Sequence, residues 1–201
     1  MSVLLACLLA GPGDLPVEPA SSEGAAGAET FLRLRAGAWA CRGFAFEATR
    51  PNATKVSIDD EVLPSAGIDL GITVADKFLF FVSGDYAGTD HIQLPALGAA
   101  VGYRELRRPD SAKGVPDEVS VYAGAFWSSF EVDTKDFGDF EDAVGFRAGI
   151  ALTWRTSRGT TLSAVGEYRL VEFDYEPEIL EGDRHAGGSS AWVGAAFDLR
   201  F

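Results

Sequence analysis

The stretch AWVGAAFDLRF at residues 191–201 decides the fold, because its apolar and polar residues alternate up to the last position. Side chains point alternately to the two faces of a β-strand, so a period of two predicts a strand. The more polar face includes Gly194, Asp198 and Arg200. The apolar face consists of Ala191, Val193, Ala195, Phe197, Leu199 and Phe201. The stretch therefore predicts a strand whose apolar face extends to the final aromatic side chain.

The same alternation recurs along the chain and predicts a single all-β domain of eight strands. Short turns at 76–77 and 156–159 contrast with long polar connections at 48–67, 131–142 and 174–189. Two connections depart from this pattern, since 107–118 is long and 87–92 is short. Most strands reach the ~9–11 residues that a tilted strand needs to cross a bilayer. We predict an eight-stranded antiparallel up-and-down barrel, transmembrane, with strands at 31–46, 68–75, 78–86, 94–106, 119–132, 144–155, 160–173 and 190–201.

Composition excludes several other classes of protein. A chain of 201 residues suits one all-β domain. No run approaches the roughly 20 consecutive apolar residues of a membrane-spanning helix. The net charge of −13 argues against nucleic acid as a partner, because phosphates require a basic surface. The two cysteines, Cys7 and Cys41, are not expected to form a disulfide, because Cys7 lies in the N-terminal leader.

The first 29 residues predict a leader that precedes the barrel. Residues 2–11 are apolar like the core of a secretory signal, but no basic residue precedes them, so we expect a truncated signal peptide. A linker rich in Pro, Gly, Ala and Ser follows, and residues 30–201 form the predicted barrel. The run Leu4-Leu5-Ala6-Cys7 also resembles a bacterial lipobox, which leaves a lipid-modified Cys7 open.

Alternation alone fits two opposite architectures. In a secreted lipocalin-like carrier of a small apolar ligand, the apolar face lines a cavity, and Phe80, Ile150 and Leu152 would contribute to it. In a transmembrane barrel the apolar face meets lipid, and the polar face fills the lumen. The polar faces here mix Gly and Ala with isolated charges, whereas solvated strands prefer residues such as Thr and Lys. This composition favours a narrow lumen, where small residues must lie beside long ones.

The polar faces predict a network of paired charges in the lumen. Charges removed from water are stable only when they are paired. Strands one and eight must meet to close a barrel, so we predict that Arg33 or Arg35 approaches Asp198. The members of the predicted network are Arg33, Arg35, Asp69, Arg147, Glu167, Arg169, Asp198 and Arg200.

Aromatic residues predict where the membrane interfaces lie. Tyr and Trp prefer the interface because their rings are apolar with a polar edge. With both termini periplasmic, the inner rim is predicted to carry Phe78, Tyr103, Trp154 and Phe201, and the outer rim Tyr86, Trp127, Phe146 and Tyr168.

In architecture, residues 30–201 resemble the outer-membrane protein A-like or X-like barrels of Gram-negative bacteria. The last strand of such a barrel typically ends in Phe. The resemblance implies a place in the cell outer membrane, in contact with outer-membrane lipid and lipopolysaccharide. It also implies that the barrel-assembly machinery recognises the C-terminal strand. Because eight strands leave no wide channel, we expect side chains to block the lumen. The expected role is structural or surface-interacting, without catalysis and without a cofactor.

A lipid-modifying outer-membrane enzyme is the alternative that the sequence leaves open. His185 lies near Ser189 and Ser190, and a Ser/His/acid set resembles that of the lipid A deacylases, although the spacing departs from theirs and no acid can be assigned. No zinc pattern involves His185 or His91, and no metal site is predicted. The outer connections are strongly acidic at 59–61, 133–142 and 172–183, a composition that suits hard divalent cations.

Overall fold

A computed structural model describes residues 27–42, 44, 46–49, 55–106, 114–132, 140–157, 159–175, 181–182 and 185–201. The predicted signal peptide and Cys7, whose lipid modification the sequence leaves open, lie outside the described residues. Within the described part of the chain, no helix is long and apolar enough to cross a membrane.

Twelve strands make up the described structure. In chain order they are β1 (Ala28–Cys41), β2 (Phe46–Thr49), β3 (Lys55–Ile58), β4 (Glu61–Val74), β5 (Phe78–Gly88), β6 (Ile92–Leu106), β7 (Glu118–Ser128), β8 (Glu131–Val132), β9 (Ala143–Ser157), β10 (Thr160–Asp174), β11 (Glu181–Gly182) and β12 (His185–Arg200).

Eight long antiparallel strands close into a barrel, which confirms the predicted fold class. Each of β1, β4, β5, β6, β7, β9, β10 and β12 pairs with its neighbour along the chain, and β1 pairs with β12 to complete the circle. In that closing pair, Arg33 lies opposite Asp198. The short strand β8 adds to β6, and β2, β3 and β11 form a separate three-stranded sheet.

The barrel has a turn end and a loop end. At the turn end lie the tight turn 75–77, the β9–β10 turn and both ends of the barrel chain. Connections at the loop end are longer, except that only residues 89–91 join β5 to β6; conversely, the turn end carries one long connection, 107–117 between β6 and β7, as the sequence indicates. In the three-residue connection 75–77, Ala75 and Asp76 both have positive φ, and the Lys77 N–H donates to the Val74 carbonyl at 3.2 Å, as in a type I′ turn.

Several strand boundaries predicted from the sequence are wrong. β4 begins at Glu61 rather than at 68, because Pro64 and the small residues after it hide the alternation. β12 begins at His185 rather than at 190, and the glycine pair 187–188 within it has φ values of 120° and 123°. The first predicted strand ends at Cys41 instead of 46, where its partner β4 also begins, and the fifth ends at Ser128 instead of 132.

The two faces of the strands have opposite environments. Outward side chains on the barrel wall are apolar and exposed, as Leu70, Val82 and Ile150 illustrate. Inward side chains include buried arginines and carboxylates, such as Arg169 and Asp69, each 1% exposed. This is the arrangement of a membrane barrel, in which lipid covers the apolar exterior.

Candidate functional site

The lumen is the candidate site, because the inward side chains of all eight long strands meet there. An eight-stranded barrel is just wide enough for side chains to fill its interior. At the centre lie four arginines and four carboxylates, which we call the charge network: Arg33, Arg35, Arg147, Arg169, Asp69, Asp85, Glu167 and Asp198.

Arg33 and Asp198 form a bidentate pair across the strands that close the barrel. Arg33 Nε donates to Asp198 Oδ1 at 2.7 Å, and Nη2 donates to Oδ2 at 3.0 Å. Both side chains are buried. Two parallel N–H···O bonds give such a pair both strength and a fixed geometry. Of the two arginines predicted to approach Asp198, the structure thus places Arg33 on it.

Arg35 is the hub of the network. Its Nη2 lies 2.6 Å from Asp85 Oδ1 and 3.0 Å from Asp69 Oδ1, and its Nη1 donates to Glu167 Oε1 at 2.8 Å. The Tyr122 hydroxyl donates to the same Glu167 oxygen at 2.7 Å. One guanidinium therefore holds carboxylates from three other strands.

Arg147 and Arg169 complete the charge balance. Arg169 donates from Nε and Nη2 to Glu167 Oε2, at 2.8 and 2.6 Å, and its Nη2 lies 3.4 Å from Asp85. Arg147 donates to Ser83 Oγ at 2.7 Å and lies 3.5 Å from Asp85. Because four positive side chains face four negative ones, the centre of the lumen carries no net charge.

A smaller ionic group, the turn-end cluster, lies between the network and the turn end. Arg200 Nη1 lies 3.0 Å from Glu118 Oε2, and Arg104 lies 3.5 Å from Glu118 and 3.1 Å from Glu29. Arg200 was predicted as a member of the lumen network, whereas Glu118 was missed because it lies at the edge of a predicted loop. The alternation Glu118, Ser120, Tyr122 would have indicated its inward side chain. Arg155 follows the buried side chains of Ala151 and Thr153 at the strand period of two, but it is exposed at the turn end.

Toward the loop end the lumen becomes apolar. The aromatic cap, as we call this region, contains Trp39, Phe44, Phe126, Phe130, Phe140, Phe173 and Tyr175, all buried. Ring centroids lie 4.7 Å apart for Phe130 and Phe140 and 5.4 Å apart for Phe130 and Phe173. The Arg169 guanidinium lies 4.5 Å from the Trp39 ring and so joins the cap to the charge network.

Inward glycines make room for inward aromatic rings. The Phe31 ring lies against Gly71 of the neighbouring strand, and the Trp192 ring lies against Gly37, where a Cβ would come within 2.8 Å of it. Tyr122 covers Gly149 in the same way. This pairing explains why the polar faces of the sequence mix glycine with charge.

The predicted interface aromatics all lie on the outer wall. Those at the turn end are Phe78, Tyr103, Trp154 and Phe201, and those nearer the loop end are Tyr86, Trp127, Phe146 and Tyr168. Phe78 and Tyr103 contact each other edge to face with centroids 5.9 Å apart.

Of the residues considered for catalysis, His185 contacts a carboxylate on the outer wall, whereas Ser190 is hydrogen-bonded inside the lumen. His185 is largely exposed and its Nδ1 contacts Asp174 Oδ1. Ser190 is buried, accepts a hydrogen bond from Trp39 Nε1 at 2.7 Å and donates to the Arg169 carbonyl. Among the described residues, no three His, Cys, Asp or Glu side chains are grouped so that they could hold a metal ion.

The lipocalin-like alternative is wrong. It required Phe80, Ile150 and Leu152 to line an internal cavity, but all three lie on the outer face, and Phe80 and Ile150 are 45% and 46% exposed. The interior that would hold an apolar ligand is occupied by the charge network.

Comparisons with known proteins agree with this geometry. No family model and no curated protein sequence matches the chain. Among solved structures, Neisserial surface protein A is similar, with a TM-score of 0.53 and 17% identity over 87% of this chain and 99% of its own. The outer-membrane protein OprG from Pseudomonas aeruginosa is similar with a TM-score of 0.57 and 10% identity, and the match covers 89% of this chain and 98% of OprG. The outer-membrane protein AlkL is similar with a TM-score of 0.51 and 9% identity, and the match covers 94% of this chain and 97% of AlkL. The fold and the apolar exterior together make this chain a small eight-stranded transmembrane β-barrel, the fold that these outer-membrane proteins share.

Proposed function

We propose that the protein is a closed, non-enzymatic barrel with a structural or surface-interaction role, which presents acidic loops outside the cell. The main support for this proposal is that three successive groups of side chains fill the lumen: the turn-end cluster, the charge network and the aromatic cap. A barrel of eight strands has no room for a channel beside them.

The orientation follows from the distribution of polar residues on the outer wall. At the loop end, outward Glu172, Asp174, His185 and Ser189 are exposed and polar. Strands of 14–16 residues such as β1, β10 and β12 exceed the ~9–11 residues needed to span the bilayer. The loop end therefore projects beyond the lipid, as the extracellular ends of such barrels do.

The loop end offers carboxylates to the cell surface. Asp59, Asp60 and Glu61 precede and begin β4, and Glu141 and Asp142 precede β9; all are exposed. Carboxylates bind hard divalent cations. Such cations would bridge these loops to the phosphates of lipopolysaccharide, the partner that we propose for this end of the barrel.

The terminal strand is the proposed signal for barrel assembly. It pairs with β10 on one side and β1 on the other, and the Phe201 N–H donates to the Thr30 carbonyl at 2.9 Å. Until β1 and β12 meet, the edge of β12 is free to pair with another strand. That open edge, with its outward aromatic residues, is what the barrel-assembly machinery would recognise.

Conductance through a planar lipid bilayer tests the closed barrel. We expect no single-channel steps from the folded wild-type protein, and steady ion-conducting openings would overturn the proposal.

Activity on lipopolysaccharide tests the non-enzymatic part of the proposal. Release of fatty acid by the wild type, lost in His185→Ala with unchanged heat-dependent gel mobility, would establish the enzyme alternative instead.

A further inference from the structure

A groove of about 750 Å³ crosses the outer wall of β1, β4, β5, β6 and β7. Its floor follows one row of paired residues whose side chains point inward. That row, in strand order, is Phe31, Gly71, Phe81, Ala100 and Gly124. The groove lies in the apolar band, so hydrocarbon rather than water surrounds it.

The pleat of the sheet accounts for the shape of the groove. Inward residues leave a valley between the outward residues on either side, which lie two positions apart, about 6.6 Å along the strand. Leu70 and Val82 form one wall, and Ile72 and Phe80 form the other. Toward β6 and β7 one wall falls to the small side chain of Ala99, and the other continues through Val101 on β6 to Ala123 on β7, so the groove widens there.

The groove climbs from the turn end toward the middle of the membrane. On β4 and β5 its floor lies three residues from the turn-end termini of the strands, Val74 and Phe78. On β6 and β7, Ala100 and Gly124 lie six residues from Leu106 and Glu118. Four strand spacings of about 4.8 Å give a length of about 19 Å. At a strand tilt of about 40° this rises about 12 Å, close to the ~15 Å of one leaflet.

The lower end of the groove adjoins a polar vestibule. Phe201 lines the groove and also a second cavity of about 300 Å³ at the turn end. Arg104, Arg155 and Arg200 line this vestibule together with Glu29 and Asp76. Arg104 and Arg200 are paired with Glu29, whereas Arg155 and Asp76 are exposed. Both signs of charge thus face the point where the apolar groove begins, as the phosphate and ammonium of a zwitterionic headgroup require.

We propose that this groove binds one acyl chain of a glycerophospholipid from the periplasmic leaflet, with the headgroup beside the vestibule. The assignment rests on the periplasmic turn end of the proposed function. Lipopolysaccharide occupies the opposite leaflet, and its chains would enter from the loop end. A second copy of the barrel presents a convex wall, which cannot fill a valley two residues wide, whereas a single hydrocarbon chain can.

Photo-crosslinking with phosphatidylethanolamine that carries a diazirine on its acyl chain tests the site in nanodiscs. We expect labelled peptides from β4 and β5 around Gly71 and Phe81, well above the labelling of β10. Native mass spectrometry of the detergent-purified protein should show one retained phospholipid. Uniform labelling of all strands would overturn the proposal, and so would retention of lipopolysaccharide, of a free fatty acid or of a second copy.

Filling the groove supplies the matched comparison. Ala99→Phe and Ala123→Phe, made singly and together, place a ring in the groove and should reduce phospholipid retention and β4–β5 labelling several-fold. Ala164→Phe adds the same ring to the outer wall of β10 and should change neither. Unchanged phospholipid retention in both groove variants would overturn the proposal. If these variants fail to fold, the crosslink map of the wild-type protein decides whether the groove binds lipid. Because all three changes face lipid, bilayer conductance stays an independent test of the closed lumen.

Discussion

Strand β10 passes through two regions of the barrel whose inward and outward chemistry is reversed. As far as Leu170, its outward residues are apolar or small, and its inward residues include Glu167 and Arg169. Beyond that point, inward Phe173 is fully buried among aromatic rings, and outward Glu172 is exposed. The direction of successive side chains does not change, so the apolar set has moved by one residue to the other face.

The reversal shows that lumen chemistry follows what lies outside the wall. Where lipid covers the exterior, the interior is polar and its charges must be paired. Where the wall projects into water, the interior can be apolar, as in a soluble barrel. β12 repeats the change, because outward Ser189 and His185 are polar while outward Val193 and Phe197 are apolar. The charge network and the aromatic cap are therefore stabilised by different forces.

Removing the hub of the charge network should have the largest effect. Arg35→Ala leaves Asp69, Asp85 and Glu167 without their shared partner in a buried site. We expect the free energy of unfolding to fall by about 3–5 kcal/mol, because an uncompensated buried charge is costly. Urea unfolding in phospholipid vesicles, followed by tryptophan fluorescence, measures this loss. Lys77→Ala, at an exposed position in the turn 75–77, should stay within about 0.5 kcal/mol; equal losses in the two variants would refute a paired interior.

Truncating the aromatic cap should cost slightly less. Phe173→Ala removes a fully buried ring that lies against Phe44 and Phe130, and should lower the free energy of unfolding by about 3 kcal/mol. The charge network stays intact, so bilayer conductance should remain absent. The control is Phe146→Ala, whose ring is 64% exposed on the outer wall. An equal loss in Phe146→Ala would mean that the cap packs no better than the lipid-facing surface.

A charge on the outer wall distinguishes the two regions directly. Ile150→Arg places a cation in the middle of the apolar band and should destabilise the barrel in vesicles by about 2–4 kcal/mol. Glu172→Arg, on the outer wall above the reversal, should change stability by no more than about 0.5 kcal/mol. Similar destabilisation by both changes would place the lipid boundary above Glu172 and remove the contrast between the regions.

The barrel itself could be predicted from the sequence because alternation depends only on local residue type. The terminal strand and the inward charges of β1, β9, β10 and β12 follow from it directly. Alternation fails where glycine or proline interrupts it, so the pattern predicts a loop for the first residues of β12, with their positive-φ glycines, and for the start of β4 near Pro64.

Which side chains contact one another in the charge network can be seen only in the closed barrel. Asp85 contacts three arginines from three other strands, and no spacing along the chain relates these positions. The aromatic cap was missed for a similar reason, since Phe44 and Phe140 come from connections and meet the strands only after folding. One signal was present, however: the adjacent apolar pair Leu170–Val171 breaks the alternation where the reversal occurs.

The smallest predicted effect concerns Tyr168, which lies on the outer wall of β10 just below the reversal and is 57% exposed. If the reversal marks the membrane interface, its ring meets acyl chains while its hydroxyl meets water. Tyr168→Ala should then lower the free energy of unfolding in vesicles by about 1 kcal/mol through lost apolar contact, and Tyr168→Trp should restore most of it. The same substitution in a strand surrounded by water would cost nothing, so an unchanged stability in Tyr168→Ala would move the interface elsewhere on the strand. Vesicles with a thinner hydrocarbon core provide a second measurement. As the interface moves below Tyr168, the difference in the free energy of unfolding between Tyr168→Ala and the wild type should shrink, whereas the destabilisation by Ile150→Arg should persist.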